Sequence, residues 1–152
     1  MFLITLLLCA VTVSEGNISK EFIVKKSYDE VVDHIEKDID DIYKSVGITV
    51  VSRKNGEVTA YVDTPQFGKI EWKHTEKIQK DKESISVTID SKTDKFIFHS
   101  SMKIKPHKKG VHVGVDAKMN VNDERATPKL IEIGLSRFVE KIKRHLKTFW
   151  VS

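Results

Sequence analysis

The chain has 152 residues, of which 39% are hydrophobic and 32% charged, and it contains 7 Gly, 3 Pro and a single cysteine. This length suits one compact domain rather than two, and the composition excludes a disordered, collagen-like or low-complexity chain. The net charge is +4 and acidic residues are interspersed almost throughout, so the continuous basic face of a nucleic-acid-binding protein is not expected.

The first 16 residues form a segment of their own. Phe2 to Val13 is almost unbroken apolar sequence, while the chain beyond Glu15 is rich in charge. This run is shorter than the roughly 20 residues that a membrane-spanning helix needs, and its length matches the apolar region of a signal peptide. We therefore divide the chain into a signal-peptide-like segment, 1–16, and a domain, 17–152.

This division has two consequences. We expect the protein to be exported or associated with a membrane through the N-terminal segment; the alternative is a cytoplasmic protein whose start codon lies further downstream. Cys9, the only cysteine, lies in this segment, so the domain has no thiol for a disulfide, a nucleophile or a metal site.

A strand and a helix open the domain. Alternating apolar residues predict a strand over Ile18–Val24. Ser27, with Glu30 three residues later, matches a capping box and predicts a helix start. Apolar residues then recur at helical spacing as far as Gly47, and a break into two short helices is expected near 38–41.

After Gly47 the hydrophobic period changes from that of a helix to that of a strand. Asn55-Gly56 predicts a hairpin turn because both residues tolerate positive φ. Six further strands are predicted, which with the first makes seven. They cover Ile48 to Arg53, Glu57 to Asp63, Phe67 to Gln79, Ser84 to Asp90, Lys95 to Lys105 and Gly110 to Val121.

The last element is a long helix with a clear start. Thr127 is the predicted N-cap and Pro128 the first helical residue, where the missing N–H costs nothing. An apolar stripe continues to Phe149. A helix with so long an apolar face needs an extensive apolar partner, so we expect it to lie across the sheet.

This order of elements, from Ile18 to Phe149, resembles the START-like or SRPBCC superfamily, which includes the helix-grip, Bet v 1-like proteins. The stretch 25–32, Lys-Lys-Ser-Tyr-Asp-Glu-Val-Val, is similar to the strand-to-helix transition of the family, and Thr127-Pro128 is similar to the opening of its terminal helix. The resemblance implies an α+β fold: a seven-stranded curved antiparallel sheet wraps around the long C-terminal helix, with one or two short helices after the first strand. It also implies a cavity between sheet and helix that receives a lipid, sterol, polyketide or other apolar molecule.

Alternation along the strands predicts which side chains would line that cavity, because neighbours in a strand point to opposite faces. On the C-terminal helix, a glycine leaves space between two large apolar residues. An ordinary filled core is the alternative. The predicted ligand-binding residues are Ile70, Trp72, His74, Phe96, Phe98, Met102, Ile131, Gly134 and Phe138.

His74 is the sharpest candidate for polar chemistry. A buried imidazole can orient a carboxylate or hydroxyl of a ligand, or act as acid or base near neutral pH. Glu76, on the same strand face, is its candidate partner. The alternative is a core histidine whose hydrogen bond is satisfied by a neighbouring strand.

A basic hairpin, Lys103–Lys109, lies between the last two predicted strands. His99, His107 and His112 lie on these strands or their turn, but apart from Asp116 no acidic residue or cysteine completes a ligand set, so no metal site is predicted. We expect this hairpin to be solvated or, in a functional version, to meet an anionic membrane surface or an acidic protein partner.

No phosphate-binding loop, nucleophile elbow or zinc-protease motif occurs in the sequence. No catalytic residue and no cofactor are therefore predicted. The function expected is non-catalytic binding of an apolar or amphipathic, lipid-like molecule. Two alternatives stay open: a protein-interaction module with a filled core, and a cyclase- or hydrolase-like enzyme that uses His74.

Overall fold

The computed structural model describes residues 14–64 and 68–150, without the side chain of Thr64. Two helices and seven strands make up this part of the chain. They are β1 (Ser14–Val24), α1 (Tyr28–Ser45), β2 (Ile48–Lys54), β3 (Glu57–Thr64), β4 (Gly68–Lys80), β5 (Ile85–Lys92), β6 (Phe96–His107), β7 (Gly110–Val121) and α2 (Pro128–Thr148).

All seven strands belong to one antiparallel sheet, in the order β1-β7-β6-β5-β4-β3-β2. The sheet curves around α2, and α1 carries the chain from one edge strand, β1, to the other, β2. This confirms the predicted α+β architecture, with seven strands, a helix after the first strand and a long C-terminal helix.

Helix α1 begins as its sequence predicts. The hydroxyl of Ser27 accepts a hydrogen bond from the backbone N–H of Glu30 at 3.1 Å, which satisfies one of the amides left free at a helix N-terminus. At Asp38 the backbone leaves helical geometry, with φ −130° and ψ 34°. The predicted break is therefore a kink that joins two short helical segments.

Helix α2 is capped at both ends. Thr127 accepts a hydrogen bond from the N–H of Leu130 at 3.2 Å, as predicted. At the other end, Nζ of Lys26 donates to the carbonyls of Leu146 at 3.1 Å and Phe149 at 2.9 Å. A cation at this position also suits the negative end of the helix dipole.

The core lies between the concave face of the sheet and the two helices. From α1 it receives Val31, Ile35 and Ile42, and from α2 it receives Leu135 and Leu146, all buried. Alternate residues of β5, β6 and β7 complete it from the sheet side, as the period of two predicts.

The Asn-Gly hairpin is also as predicted. Asn55 has φ 52° and Gly56 φ 80°, and the flanking residues Lys54 and Glu57 pair with each other. Positive φ at both central residues is the geometry of a two-residue turn whose twist matches that of its strands. The turn fixes the register of β2 on β3.

Strand β1 is longer than its sequence predicts, because it begins at Ser14 rather than Ile18. Ser14 pairs with Val121 of β7, and its hydroxyl donates to the carbonyl of Ala126 at 2.7 Å. Residues 14–17 lack the alternating apolar side chains by which a strand is predicted. They form a strand because their backbone pairs with that of β7. Residues 14–16 of the predicted N-terminal segment thus belong to β1.

The rest of that segment, including Cys9, lies outside the described residues, as does Phe67, the predicted start of the fourth strand. Export through residues 1–16 stays a prediction. In the part of the chain that the structure describes, neither helix combines the length and the apolar character needed to cross a bilayer.

Candidate functional site

A cavity of about 410 Å³ lies between the N-terminal half of α2 and the sheet. Its volume falls within the range of about 300–1,000 Å³ that small-molecule sites occupy. Leu130, in the first turn of α2, lines the cavity and is 57% exposed, so the mouth lies beside it. The wall residues are all apolar or glycine: Val46, Ile48, Val62, Trp72, Phe98, Met119, Ala126, Leu130, Ile131, Gly134, Leu135 and Phe138.

Gly134 adds no side chain to this wall. The residue is exposed and lies in the second turn of α2, one turn after Leu130, and a Cβ built on it meets no atom of the described residues within 4 Å. Glycine inside a helix is less stable than alanine by roughly 0.5–1 kcal/mol. The chain therefore carries a destabilising residue on the exposed rim of the cavity, where it adds no side chain to the wall.

An aromatic cluster forms one side of the cavity. Trp72 of β4 stacks on Phe96 with ring centroids 5.2 Å apart, and the edge of Phe98 meets Trp72 at 5.7 Å. Phe98 also meets Phe138 of α2 edge to face at 5.4 Å. These edge-to-face and offset contacts favour a fixed arrangement, which ties α2 to β4 and β6.

A second, much smaller cavity of about 30 Å³ lies further along α2. Val46 and Phe138 line both cavities and so separate them. Tyr43, Ser100 and Met102 line the smaller one, which is large enough for a water molecule.

Of the predicted ligand-binding residues, five lie on the wall of the main cavity: Trp72, Phe98, Ile131, Gly134 and Phe138. Phe96 stacks against the indole of Trp72, and Met102 lines the smaller cavity. Whether these residues bind a ligand stays a prediction, because their placement shows only that they meet around the same space.

Ile70 does not join the wall. It lies near the start of β4, where the strand pairs only with β3 because its pairing with β5 begins at Thr75. Its side chain is 38% exposed. Alternation assigned the face of the strand correctly but could not show that the neighbouring strand ends before reaching this position.

The wall residues that sequence reasoning missed have weaker signals. Leu135 belongs to the apolar stripe of α2, and Met119 to the inward face of β7, so periodicity could have found both. Val46 and Ile48 flank the turn at Gly47. They reach the cavity wall because β2 is the edge strand beside it, which the sequence pattern alone does not indicate. The others missed are Val62, Ala126 and Leu130.

His74 is buried, with 2% of its surface exposed. Its Nδ1 accepts a hydrogen bond from Nε1 of Trp72 at 2.7 Å. Since an indole N–H can only donate, the neutral imidazole carries its hydrogen on Nε2. That Nε2 atom is buried and has no hydrogen-bond partner in the described part of the chain. Burial lowers the pKa of His74, which favours this neutral form.

Glu76 does not hydrogen-bond to His74, as the sequence suggested it might, but to two other residues. Tyr43 donates its hydroxyl to Oε2 of Glu76, and Arg53 donates from Nε to Oε1 at 3.1 Å. Arg53 also donates from Nη2 to Asp40 at 2.6 Å, which raises the pKa of the guanidinium. Burial raises the pKa of Tyr43. This network ties α1 and β2 to β4.

The three histidines of the basic hairpin region have separate partners. Nδ1 of His99 lies 2.6 Å from Asp90, Nε2 of His112 lies 3.5 Å from Glu21, and His107 accepts the N–H of Lys109. Across residues 14–64 and 68–150, no group of three or more histidine, cysteine, aspartate or glutamate side chains is placed to hold a metal ion.

The Lys103–Lys109 hairpin and the cavity mouth lie at opposite ends of the molecule. The hairpin turn packs against the backbone of Val24 through Gly110, close to Lys26 and the C-terminus of α2. The mouth lies at the first turn of this helix, which has 21 residues and is roughly 30 Å long. Any partner of the hairpin would therefore bind away from the mouth.

No family model matches the chain, and no curated protein matches its sequence. Solved structures do match it. A START superfamily protein from Mycobacterium smegmatis superposes with a TM-score of 0.62 at 13% identity, over 86% of this chain and 94% of that one. Ara h 8.0201 superposes with a TM-score of 0.64 at 10% identity, over 88% and 96%.

This chain has the helix-grip fold. The same fold occurs in the di-domain ARO/CYC StfQ from the steffimycin biosynthetic pathway, which superposes with a TM-score of 0.64 at 11% identity, over 88% of this chain and 50% of that one. In the helix-grip domain described above, α2 is the gripped helix, and the apolar cavity lies between it and the curved sheet. The resemblance predicted from the order of elements is therefore confirmed for the fold.

Proposed function

We propose that this helix-grip protein binds an apolar or amphipathic small molecule in the cavity between α2 and the sheet, without changing it chemically. The observation that carries the proposal is the apolar wall around a volume of about 410 Å³, on whose rim Gly134 places no side chain. Transfer of apolar surface from water into such a site contributes about 25 cal/mol per Å².

The wall also limits how a ligand would lie. Every wall residue is apolar or glycine, so a polar group placed inside would lose its hydrogen bonds to water without replacement. An amphipathic ligand would therefore insert its apolar part and leave its polar group at the mouth, beside Leu130.

The two alternatives have less support. A cavity of this size does not suit a protein-interaction module with a filled core. A cyclase- or hydrolase-like enzyme needs an acid, a base or a nucleophile that reaches the ligand, and the wall supplies none. His74, the candidate for that role, uses Nδ1 to bind Trp72 and lines a separate pocket beside Asp90 and Ser91 rather than this cavity.

Titration with the neutral fluorescent probe N-phenylnaphthylamine tests the proposal. Gly134→Phe, which places a large side chain at the rim of the cavity, should weaken probe binding at least about tenfold. Its neighbour Ile133 is 41% exposed, so Ile133→Phe is the matched control and should bind as the wild type does. Equal affinity in all three proteins, or no binding by the wild type, would overturn the proposal.

Native mass spectrometry of the purified protein gives an independent test. A co-purifying molecule in a one-to-one complex, lost in Gly134→Phe and kept in Ile133→Phe, is the expected result. A bound molecule that survives Gly134→Phe would place the binding site elsewhere.

A further inference from the structure

Two histidines face each other between the helices, away from the main cavity. Nε2 of His34, on α1, lies 2.8 Å from Nε2 of His145, near the end of α2. The ring of Phe149 stacks on that of His34, with centroids 3.9 Å apart and planes 5° from parallel. His34 is 7% exposed. His145 is half-buried, so the pair forms a partly buried bridge between α1 and the last turn of α2.

The number of protons decides whether this contact can exist. At 2.8 Å, one Nε2 must donate a hydrogen bond and the other must accept it. Two neutral imidazoles satisfy this condition, and so does one neutral imidazole beside one protonated imidazole. When both are protonated, each Nε2 carries a hydrogen, no acceptor remains and the two positive charges repel.

Nearby charged residues shift the protonation of the two histidines in opposite directions. Nζ of Lys26 lies 3.8 Å from the centroid of Phe149 and adds positive charge. Oδ2 of Asp38 lies 3.8 Å from Nδ1 of His34 and favours its protonation. Asp33 also favours protonation of His34, and Asp41 that of both histidines.

Burial outweighs these aspartates and lowers the pKa of both His34 and His145. For His145 the next cause is His34 itself, which disfavours a second positive charge so close by. In the unfolded chain both groups regain an ordinary pKa near 6.5. The pair therefore contributes its full stability above about pH 6.5, and that stability is lost as the pH falls further, because the unfolded chain then binds more protons.

We propose that His34 and His145 form a proton-operated clamp, which holds the C-terminal half of α2 against α1 until both imidazoles are protonated. Acidification then separates the rings and loosens this half of the helix. The structure connects this event to the cavity through α2 itself. Ile142, about one turn before His145 on α2, lines the smaller cavity together with Phe138. Phe138 also lines the main cavity.

A consequence for binding follows, and it rests on the proposed function. If α2 loosens, the wall that it supplies loses its fixed position, so ligand affinity should fall in acid. The clamp itself does not depend on a ligand, and its two partners can be tested in the ligand-free protein.

Chemical unfolding at a series of pH values tests the clamp. The variant is His145→Gln, because a glutamine carbonyl can accept a hydrogen bond from His34 in either protonation state. The control is His99→Gln, at a histidine whose side chain is 47% exposed. Between about pH 7.5 and 5.5, the wild type and His99→Gln should lose more unfolding free energy than His145→Gln. His74 is present in all three and contributes equally. An identical pH dependence in all three proteins would overturn the proposal.

Nitrogen NMR of the imidazole rings in the wild type tests the clamp even if His145→Gln fails to fold. We expect the signals of His34 and His145 to titrate together, with the second proton bound only well below about pH 6.5. Two independent titrations near that value would overturn the clamp. Addition of zinc is the further control, since a shift of both signals at stoichiometric zinc would make the pair a metal site instead.

Probe titration measures the consequence for binding. The wild type should lose about tenfold in affinity for N-phenylnaphthylamine between neutral and acidic pH, and His145→Gln less than about twofold. An equal loss in both proteins would contradict the coupling. Failure of the wild type to bind the probe at neutral pH would count against the proposed function alone, because unfolding and NMR still report on the clamp.

Discussion

Trp72 donates its indole N–H to Nδ1 of His74, two positions along the same strand, at 2.7 Å. The two side chains lie on the same face of β4, as alternation requires. One of them forms part of the cavity wall and the other lies buried beside it. The hydrogen bond fixes the tautomer of His74 and holds the indole plane of Trp72 in the cavity wall.

Removal of this donor should destabilise the protein. In Trp72→Phe, Nδ1 of His74 becomes a buried acceptor without a partner, which costs about 1–3 kcal/mol of unfolding free energy. Trp150→Phe is the matched control, because Trp150 is 94% exposed, and it should unfold at the same urea concentration as the wild type. If the two variants proved equally stable, the hydrogen bond would contribute nothing measurable to the unfolding free energy.

The Tyr43 hydroxyl should contribute both to stability and to alkaline pH dependence. Tyr43→Phe removes its hydrogen bond to Glu76 and should lower the unfolding free energy by about 1 kcal/mol. Burial raises the pKa of Tyr43, so the folded state keeps its proton longer than the unfolded chain does. Wild-type stability should therefore fall as the pH rises above about 10.

Tyr43→Phe should reduce this alkaline decline. The control is Tyr61→Phe, because Tyr61 contacts Lys69 through its ring rather than its hydroxyl. Urea unfolding at a series of alkaline pH values measures the difference. A decline that Tyr43→Phe leaves unchanged would show that another group titrates.

Gly16 should tolerate no side chain. A Cβ at Gly16 would lie 2.6 Å from Cγ2 of Ile131, so Gly16→Ala must push α2 away from β1 and should cost about 1–3 kcal/mol. At Gly114, on the neighbouring strand β7, a Cβ meets nothing within 4 Å in the part of the chain that the structure describes. Gly114→Ala should therefore leave the thermal midpoint unchanged or raise it, and a similar loss in both variants would contradict the prediction.

Gly134→Ala should make the protein more stable. A methyl group at this position meets no atom of the described residues within 4 Å, and alanine is the better helix former by roughly 1 kcal/mol. The measured unfolding free energy should rise by up to that amount, while a small side chain leaves most of the cavity open. A loss of stability would mean that the methyl group is not accommodated as the structure indicates.

Local signals in the sequence predicted most of the fold. The caps at Ser27 and Thr127, and the turn at Asn55-Gly56, each depend on a hydrogen bond or a dihedral angle within a few residues. Periodicity then assigned the faces of the strands and of α2, because burial of one face imposes it. These signals needed no knowledge of distant parts of the chain.

The site could be predicted only in part, because distant strands decide the rest. Ile70 is exposed because the pairing of β5 with β4 does not extend to this residue. Strand β1 extends to Ser14 because β7 pairs with it there. His34 and His145 lie 111 positions apart in the sequence. The hydrophobic pattern of neither helix indicates that they face each other. The predicted partner of His74 was Glu76 on the same strand, whereas the observed partner is Trp72, also on that strand.

The pairing of β1 with β7 sets an order of events for folding. Each of the other five strand pairs joins neighbours along the chain, whereas Ser14 meets Val121 only after the whole meander lies between them. Closing so large a loop costs more chain entropy than forming a hairpin. We therefore expect the meander to assemble first and β1 to dock late, so β1 should also be the strand whose amides exchange with solvent most readily.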